Sequence, residues 1–500
     1  MRTRAFGGFF LVLTLSAAAV GAAPRDVQLI DAVKKGDLAA VRALVSHGVD
    51  VNERAGDGAT ALQWAAYNEN QEAIDLLLRA HAAVNAANDL GVTPLWVASS
   101  NASAAIVARL LQAGANPNLA PATGGTPLML VSRSGDAASA KLLLEHGADV
   151  NAKEDANGQT ALMWAVSGHR TEVVDVLLKA GADVHARSKS SRRVVLLCCP
   201  TWSGDPEGTV ELDQGGLTPL LFSALDGDVA SATRLLSAGA NVNDTAAVGA
   251  TALVMAAHRG HGALALVLLE KGADPNAAGA GYTALHSAVL RGDQEMVKTL
   301  LAHRANLNPR LTKGTYLKRG SREFAFDKFL IGATPFLLAA RLGNLTLMRT
   351  LAAAGADTSM GLADGRSPLL VAVQGETTGA RARGGAVEPR VLEAVKLLIE
   401  LGADVNAVDR AGNSALHVVA ARKPGFDTVV QFLADRGARL DVANYKGETP
   451  LALALAPPPP IRGQSTSVQT VKWRADTAAW VENKGRTSTV DLLRKLGAKE

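Results

Sequence analysis

The phrase Thr-Pro-Leu or Thr-Ala-Leu, with close variants, begins at Thr60, Thr93, Thr126, Thr160, Thr218, Thr251, Thr283, Thr334, Ser367, Ser414 and Thr449. The gaps between copies are 33, 33, 34, 58, 33, 32, 51, 33, 47 and 35 residues. A 33-residue ruler with three lengthened intervals leaves the chain few choices. It builds one small supersecondary element repeatedly, and each copy must stack on its neighbours because none can bury an apolar face alone. A leading copy without the phrase, Val27 to Asn52, brings the number to twelve. The period therefore overrides the three or so domains that 500 residues would suggest by length.

Each copy has the same local physics. The Thr or Ser is a helix N-cap, and Pro94, Pro127, Pro219, Pro335, Pro368 or Pro450 follows where a missing N–H costs nothing. A short helix such as Leu162–Val166 comes next, then a Gly-containing turn. A second helix carries an apolar stripe, as in Val173, Val174, Val176, Leu177 and Leu178. It stops at a glycine such as Gly147, Gly181 or Gly272, before residues of the type Ala-Asp-Val-Asn that lead to the next Thr.

This pattern resembles the ankyrin repeat, over residues from about 25 to 500 apart from the insertions. The resemblance implies an all-α fold: an ankyrin-repeat solenoid of about twelve helix-turn-helix units with projecting β-hairpin loops. It also implies a scaffold that grips protein partners. Two departures from the family pattern stand out. The family's His after Thr-Pro-Leu survives only at His286 and His417. Gln63, Trp96, Met129, Met163, Leu221, Val254, Leu337, Leu370 and Ala452 stand there otherwise. The hydrogen bonds this His makes between repeats are thus expected to be mostly replaced by packing. His81 and Arg304 occupy corners where glycine is expected, at about 1 kcal/mol each.

Composition agrees with thin helical layers: 48% of residues are apolar but only 4% aromatic. The net charge of +4 demands neither nucleic acid nor an anionic membrane. Residues 1–22 have two arginines, an apolar run and a small-residue end, the layout of a secretory signal peptide cut after Ala22. An uncleaved membrane anchor is the rival reading. With cleavage, residues 23–500 form the array, the protein is periplasmic or secreted, and no further segment is expected to enter a membrane. Cys198 and Cys199 are adjacent and cannot staple distant parts of a fold.

Chemistry is scarce. Trp64, Trp164, Phe222 and Met255 recur at one repeat position and read as core between repeats. His258 and His261 lack the accompanying ligands of a metal site. No nucleotide loop, nucleophile elbow or HExxH occurs, so no catalytic, cofactor or metal site is expected, and no small-molecule substrate.

By the resemblance, partners meet the hairpin tips and the ends of the first helices. The matching helix-end positions are Tyr67, Asn68, Ser100, Asn101, Arg133, Ser134, Leu225, Asp226, His258, Arg259, Leu290, Arg291, Arg341 and Leu342. Matching tips include Leu90, Tyr282, Arg366 and Asn413. Arg259, Arg291 and Arg341 form a row suited to an acidic protein partner, the alternative being a solvated face. The chain is expected to act as a monomer.

The insertions lie near 188–214, 309–330, 375–388 and 457–487. The first contains Val194 to Leu197, which can add a hairpin strand. The second sets Tyr316, Phe324, Phe326 and Phe329 among Lys313, Lys318, Arg319, Arg322 and Lys328. Its rings either pin the loop to the stack, contact a partner or stack nucleic-acid bases, in that order of preference. The third reads as a loop joining two helices, and the fourth as an extended proline-led segment after which the helix resumes near Ser488. The reading that follows is a non-catalytic, exported interaction scaffold. Its rivals are an enzyme accessory or hydrolase using the inserted loops and, further back, a nucleic-acid binder through the second insertion.

Overall fold

In the computed structural model, every copy of the Thr-Pro-Leu phrase opens a helix. The Thr60, Thr93, Thr126 and Thr160 hydroxyls accept from the backbone N–H three residues on at 3.2–3.4 Å, and Thr218, Thr251, Thr283, Thr334 and Thr449 do the same. One donor of each open helix end is thereby satisfied. The structure describes residues 28–122, 124–196, 209–314, 328–375, 387–422, 426–456 and 488–499. The proposed signal segment, Cys198, Cys199, Tyr316, Phe324 and Phe326 lie outside them.

Repeat seven shows the plan. Its first helix, Ala252–Arg259, ends at Gly260 in the left-handed region (φ 82°), and its second, Gly262–Glu270, turns out at Gly272 (φ 85°). Where glycine is missing, the same backbone persists. Glu69, Ala102 and His169 (φ 53–56°) hold the inter-helix turn, and His81 and Arg304 (φ 65° and 64°) hold the corner. The stack imposes these conformations against the steric preference of a side chain.

Two alanines late in the first helices of repeats two, seven and nine show how thin layers can be stable. Ala65, Ala66, Ala256, Ala257, Ala339 and Ala340 are almost wholly buried. Their small size lets successive first helices approach closely, while Ile74 and Leu77, or Leu264 and Leu268, close the layer from the second helix. Each fully buried Leu contributes about 2 kcal/mol relative to exposure.

The chain divides into two compact units. One comprises Met1–Val131 and Ala138–Asp149, the other Ser132–Ala137 and Val150–Glu500. Repeats one to three and most of four belong to the first, and repeats five to twelve to the second. Within each, the first helices pack on first helices and second on second.

The connecting loops fold back as tight turns. In repeat two, Ala55 N–H donates to Ala59 O at 2.8 Å and Gly58 N–H to Ala55 O at 2.9 Å. In repeats seven and eleven the loop ends also pair as single β-bridges, Thr245 with Thr251 and Val408 with Ser414. A backbone bond then ties several loops to the preceding one, as from Asp89 N–H to Asp57 O (3.2 Å) and from Tyr445 N–H to Ala411 O (3.0 Å).

Asparagine makes the other link. The Asn118 amide donates to Gly147 O (2.9 Å), and its oxygen accepts from Asp149 N–H (2.8 Å), so one side chain brackets the next corner. Asn85 does so to Gly114 and Asn116, Asn151 to Gly181 and Asp183, Asn243 to Gly272 and Asp274, and Asn406 to Gly437 and Arg439.

In the first insertion, β1 (Ser191–Leu196) pairs antiparallel with β2 (Thr209–Gln214), from Ser191 opposite Gln214 to Leu196 opposite Thr209. The hairpin strand expected around Val194 therefore exists, and its partner comes from the same insertion. The second insertion returns through a 3-10 turn at Lys328–Leu330. Val387–Glu400 is helical after the third, and residues 488–495 after the fourth. No helix among the described residues is long and apolar enough to cross a membrane.

Candidate protein-interaction surface

Loops and first-helix ends carry the side chains that the fold does not bury. Among the described residues, nine large apolar side chains are exposed: Tyr67, Leu90, Val248, Leu266, Phe329, Ile331, Val408, Tyr445 and Leu455. Eight of these lie in the loops or at first-helix ends, and only Leu266 is on a second helix. Within each unit, exposed apolar side chains are thereby sorted mainly to loops and first-helix ends.

In the first compact unit, the Tyr67 ring stands edge-on to Trp64, with centroids 5.6 Å apart. Lys34 Nζ lies 4.5 Å from the Trp64 ring centroid. Tyr67 is 61% exposed and Leu90, at the tip of the next loop, 54%. Trp64 is half-buried rather than a core residue, as are Trp164 and Met255, whereas Phe222 is buried. Three of these four positions are therefore half-exposed over the core of their own unit.

Asn68 and Asn101 occupy helix-end positions, and their amides point backward. Asn68 Nδ2 donates to Val33 O (2.9 Å) and Lys34 O (3.3 Å), and Asn101 Nδ2 to Tyr67 O (3.1 Å). These bonds satisfy carbonyls at the end of the preceding first helix.

In the second unit Arg291 acts in the same way, with Nη1 donating to His258 O at 3.1 Å. Arg422 donates to Val373 O (2.8 Å) while its guanidinium covers the Phe426 ring at 4.1 Å. Arg259 and Asp226 are exposed, and Arg341 is half-buried. Arg133 is exposed, its guanidinium 5.1 Å over the Trp164 ring. Tyr282 is a half-buried ring tilted against His258 at 5.9 Å, and burial raises its phenol pKa. His258 and His261 do not converge, since His261 Nε2 bonds Leu225 O at 3.2 Å. Among the described residues no three His, Cys, Asp or Glu side chains form a metal set.

Two of the tip residues are engaged locally. Arg366 pairs with Asp364 (2.7 Å) and donates to Gln374 (2.9 Å) and Phe329 O (3.1 Å). Asn413 bonds Asp409 and Asn444. Missed by the sequence reading were the exposed tips Val248, Ile331 and Tyr445. Val248 and Ile331 stand three residues before a capping Thr and Tyr445 four, a register that would have found them.

At the histidine position two of the nine substitutes keep the bond. His286 Nε2 donates to Ala333 O and His417 Nε2 to Glu448 O, both at 3.2 Å. Gln63 Nε2 makes the matching bond to Val92 O (2.5 Å), and Trp96 Nε1 to Gly125 O (2.8 Å). In each case the acceptor belongs to the residue just before the next capping Thr. Packing thus replaces this bond at Met129, Met163, Leu221, Val254, Leu337 and Leu370, all buried, while Ala452 in the last repeat is exposed. Burial lowers the His286 pKa to about 4 and also lowers that of His417.

Charge divides the chain. Residues 28–149 hold 12 acidic and 8 basic side chains, whereas residues 150–500 hold 34 acidic and 40 basic. The basic excess is concentrated between Arg304 and Arg349, with nine Lys and Arg against two acids.

The family model for ankyrin repeats (3 copies) matches residues 29–121, 114–188, 196–278, 220–311 and 385–457, together well over half of the chain. Among curated proteins, the chain is 32% identical over 231 residues to Ankyrin repeat and SOCS box protein 16 of Homo sapiens, covering 41% of this chain and 47% of that protein. It is 30% identical over 274 residues to Neurogenic locus notch homolog protein 1 of Xenopus tropicalis, covering 50% and 8%. A Drosophila melanogaster fem-1 homolog is 48% identical over 64 residues, covering 13% and 9%. The chain thus spans less than half the length of these relatives. The crystal structure of the human ASB11 ankyrin repeat domain aligns with 49% of this chain and 98% of that one, at 26% identity and a TM-score of 0.39. With a repeated cap, helix pair and corner that the family model also matches, the chain belongs to the ankyrin repeat family.

Proposed function

We propose that this chain is a non-catalytic scaffold that holds a protein partner along its loop tips and first-helix ends. Ankyrin repeats are protein–protein interaction modules, and proteins built from them are typically non-enzymatic. One observation carries the reading: among the described residues, exposed large apolar side chains gather on the loops and first-helix ends and are nearly absent from the second helices. In the second unit this edge also bears Arg259, Arg291 and Arg341, which favours an acidic partner. The composition of residues 1–22 supports export, with residues 23–500 as the mature array.

The test is in vivo cross-linking of the full chain in its source organism, with identification of the captured proteins. It is repeated with Arg259→Glu and Arg341→Glu together. Loss of one specific acidic partner is expected. Unchanged capture would refute the arginine row as the docking strip.

A further inference from the structure

The second helices of repeats ten, eleven and twelve leave a shallow groove of about 400 Å³ between them. Val387–Glu400 supplies Leu392 and Lys396, Asp427–Asp435 supplies Phe432 and both terminal aspartates, and the helix 488–495 supplies Leu492. Leu392, Phe432 and Leu492 are each only half-buried, so apolar side chains from three repeats share one open floor.

The rim is acidic on balance. At one end Asp427 accepts from the Thr489 hydroxyl (2.6 Å), and Glu388 accepts from the Thr428 N–H (2.9 Å) and hydroxyl (2.6 Å). At the other, Asp435 accepts from the Gln431 amide (2.8 Å). These donors are neutral and leave the carboxylate charges in place. Lys396 pairs with Glu393 at 2.7 Å, and the Arg436 guanidinium lies over the Phe432 ring at 4.7 Å. On the helix 488–495, Asp491 and Lys495 are exposed, while Arg494 lies about 160° round the helix from Leu492. Glu388, Glu393, Asp427, Asp435 and Asp491 thus outweigh Lys396, Arg436 and Lys495.

The chain carries a segment of matching chemistry. After the first helix of repeat twelve, Pro450–Leu455, residues 456–487 stand where repeat seven uses only Gly260 and His261. Residues 457–487 lie outside the described residues, and their sequence is opposite in charge to the rim, with Arg462, Lys472, Arg474, Lys484 and Arg486 against Asp476 and Glu482. They also hold Trp473 and Trp480, in a chain with only six tryptophans. Tryptophan is among the residue types that dominate binding energy at interfaces. The segment ends at the groove wall, because Ser488 is about 6 Å of helix from Leu492. Asp427 to Asp435 spans about 12 Å of helix, whereas the chain from Trp480 to Ser488 reaches up to about 26 Å. The tether is therefore long enough to set Trp480 anywhere along the floor.

We propose that the groove is occupied by this insertion of the same chain, with Trp480 packed on Leu392, Phe432 and Leu492, and Lys484 and Arg486 beside Asp427 and Glu388. A segment so placed covers an apolar floor that the second helices leave open. It also withholds this face of repeats ten to twelve from partner proteins. The inference is independent of what the loop tips hold.

The test uses the full chain with Cys198→Ser and Cys199→Ser, into which Gln431→Cys and Ala479→Cys are introduced so that Trp480 stays in place. Mild oxidation should form an intrachain disulfide, identified by peptide mapping. Adding Trp480→Ser and Lys484→Glu keeps the tether length and should slow its formation at least ten-fold. Thermal unfolding checks that each variant folds, and Thr428→Cys at the same groove replaces Gln431→Cys if that variant does not. The proposal is overturned if no disulfide forms, if its rate is the same without Trp480 and Lys484, or if the bond joins two chains, which would seat the segment of a second copy there instead.

Discussion

Replacing His286 by glutamine should remove much of the acid sensitivity of the second compact unit while leaving its fold in place. His286 is fully buried. Thr283 N–H donates to its Nδ1 at 3.2 Å, so the proton resides on Nε2, which donates to Ala333 O at 3.2 Å. The bond that Nδ1 accepts requires the neutral ring, and burial holds the pKa near 4 against 6.5 when unfolded. A folded pKa below the unfolded one means that the unfolded state binds the proton first as pH falls. Stability is therefore complete above about pH 6.5 and is lost progressively toward pH 4. Linkage over these two values gives a loss of about 2 kcal/mol between pH 7.5 and 5.0. The chain supplies its own design for the substitution. Gln63 accepts from Thr60 N–H (2.7 Å) and donates to Val92 O (2.5 Å), matching both bonds with a group that does not titrate. Urea unfolding at pH 7.5 and 5.0 measures the effect. His286→Gln should lie near the parent at pH 7.5 and exceed it at pH 5.0 by up to about 2 kcal/mol. An equal pH dependence in both proteins would refute the reasoning.

Three further outcomes follow from the brackets and turns. Asn118→Ala removes the bonds to Gly147 O and Asp149 N–H, and should cost about 1–2 kcal/mol in denaturant unfolding of the first unit. His81→Gly and Arg304→Gly relieve left-handed side-chain strain and should each raise stability by up to about 1 kcal/mol, read from the shift of the urea midpoint. Trp96→Phe keeps the ring but strands Gly125 O, for an expected loss of about 1–2 kcal/mol, whereas a neutral result would mean that packing alone holds that junction.

The frame was legible because its determinants are local and repeated. A Thr cap, a Pro at the first helical position and a Gly corner each act within a few residues, and eleven copies of the phrase keep them in register. The bonds between repeats were harder to read. That Gln63 and Trp96 replace histidine follows from where their N–H groups reach, 29 residues along the chain. Both carry an N–H that Met129 lacks, but only the fold shows that it reaches the acceptor. The candidate surface was legible as a set of positions, since Tyr67 and Leu90 are both exposed. It was less legible as a set of free side chains. Asn68, Asn101 and Arg291 look like solvent-facing polar groups, yet they bond the preceding helix end.

Those backward bonds bear on how the protein is made. Val33 O waits for Asn68, Tyr67 O for Asn101, Leu225 O for His261 and His258 O for Arg291, so each donor leaves the ribosome after its acceptor. A growing chain therefore always exposes one unfinished edge, sealed only when roughly another 33 residues have been translated. A stalled or clipped product would keep that edge open, and quality-control proteases would find their foothold there.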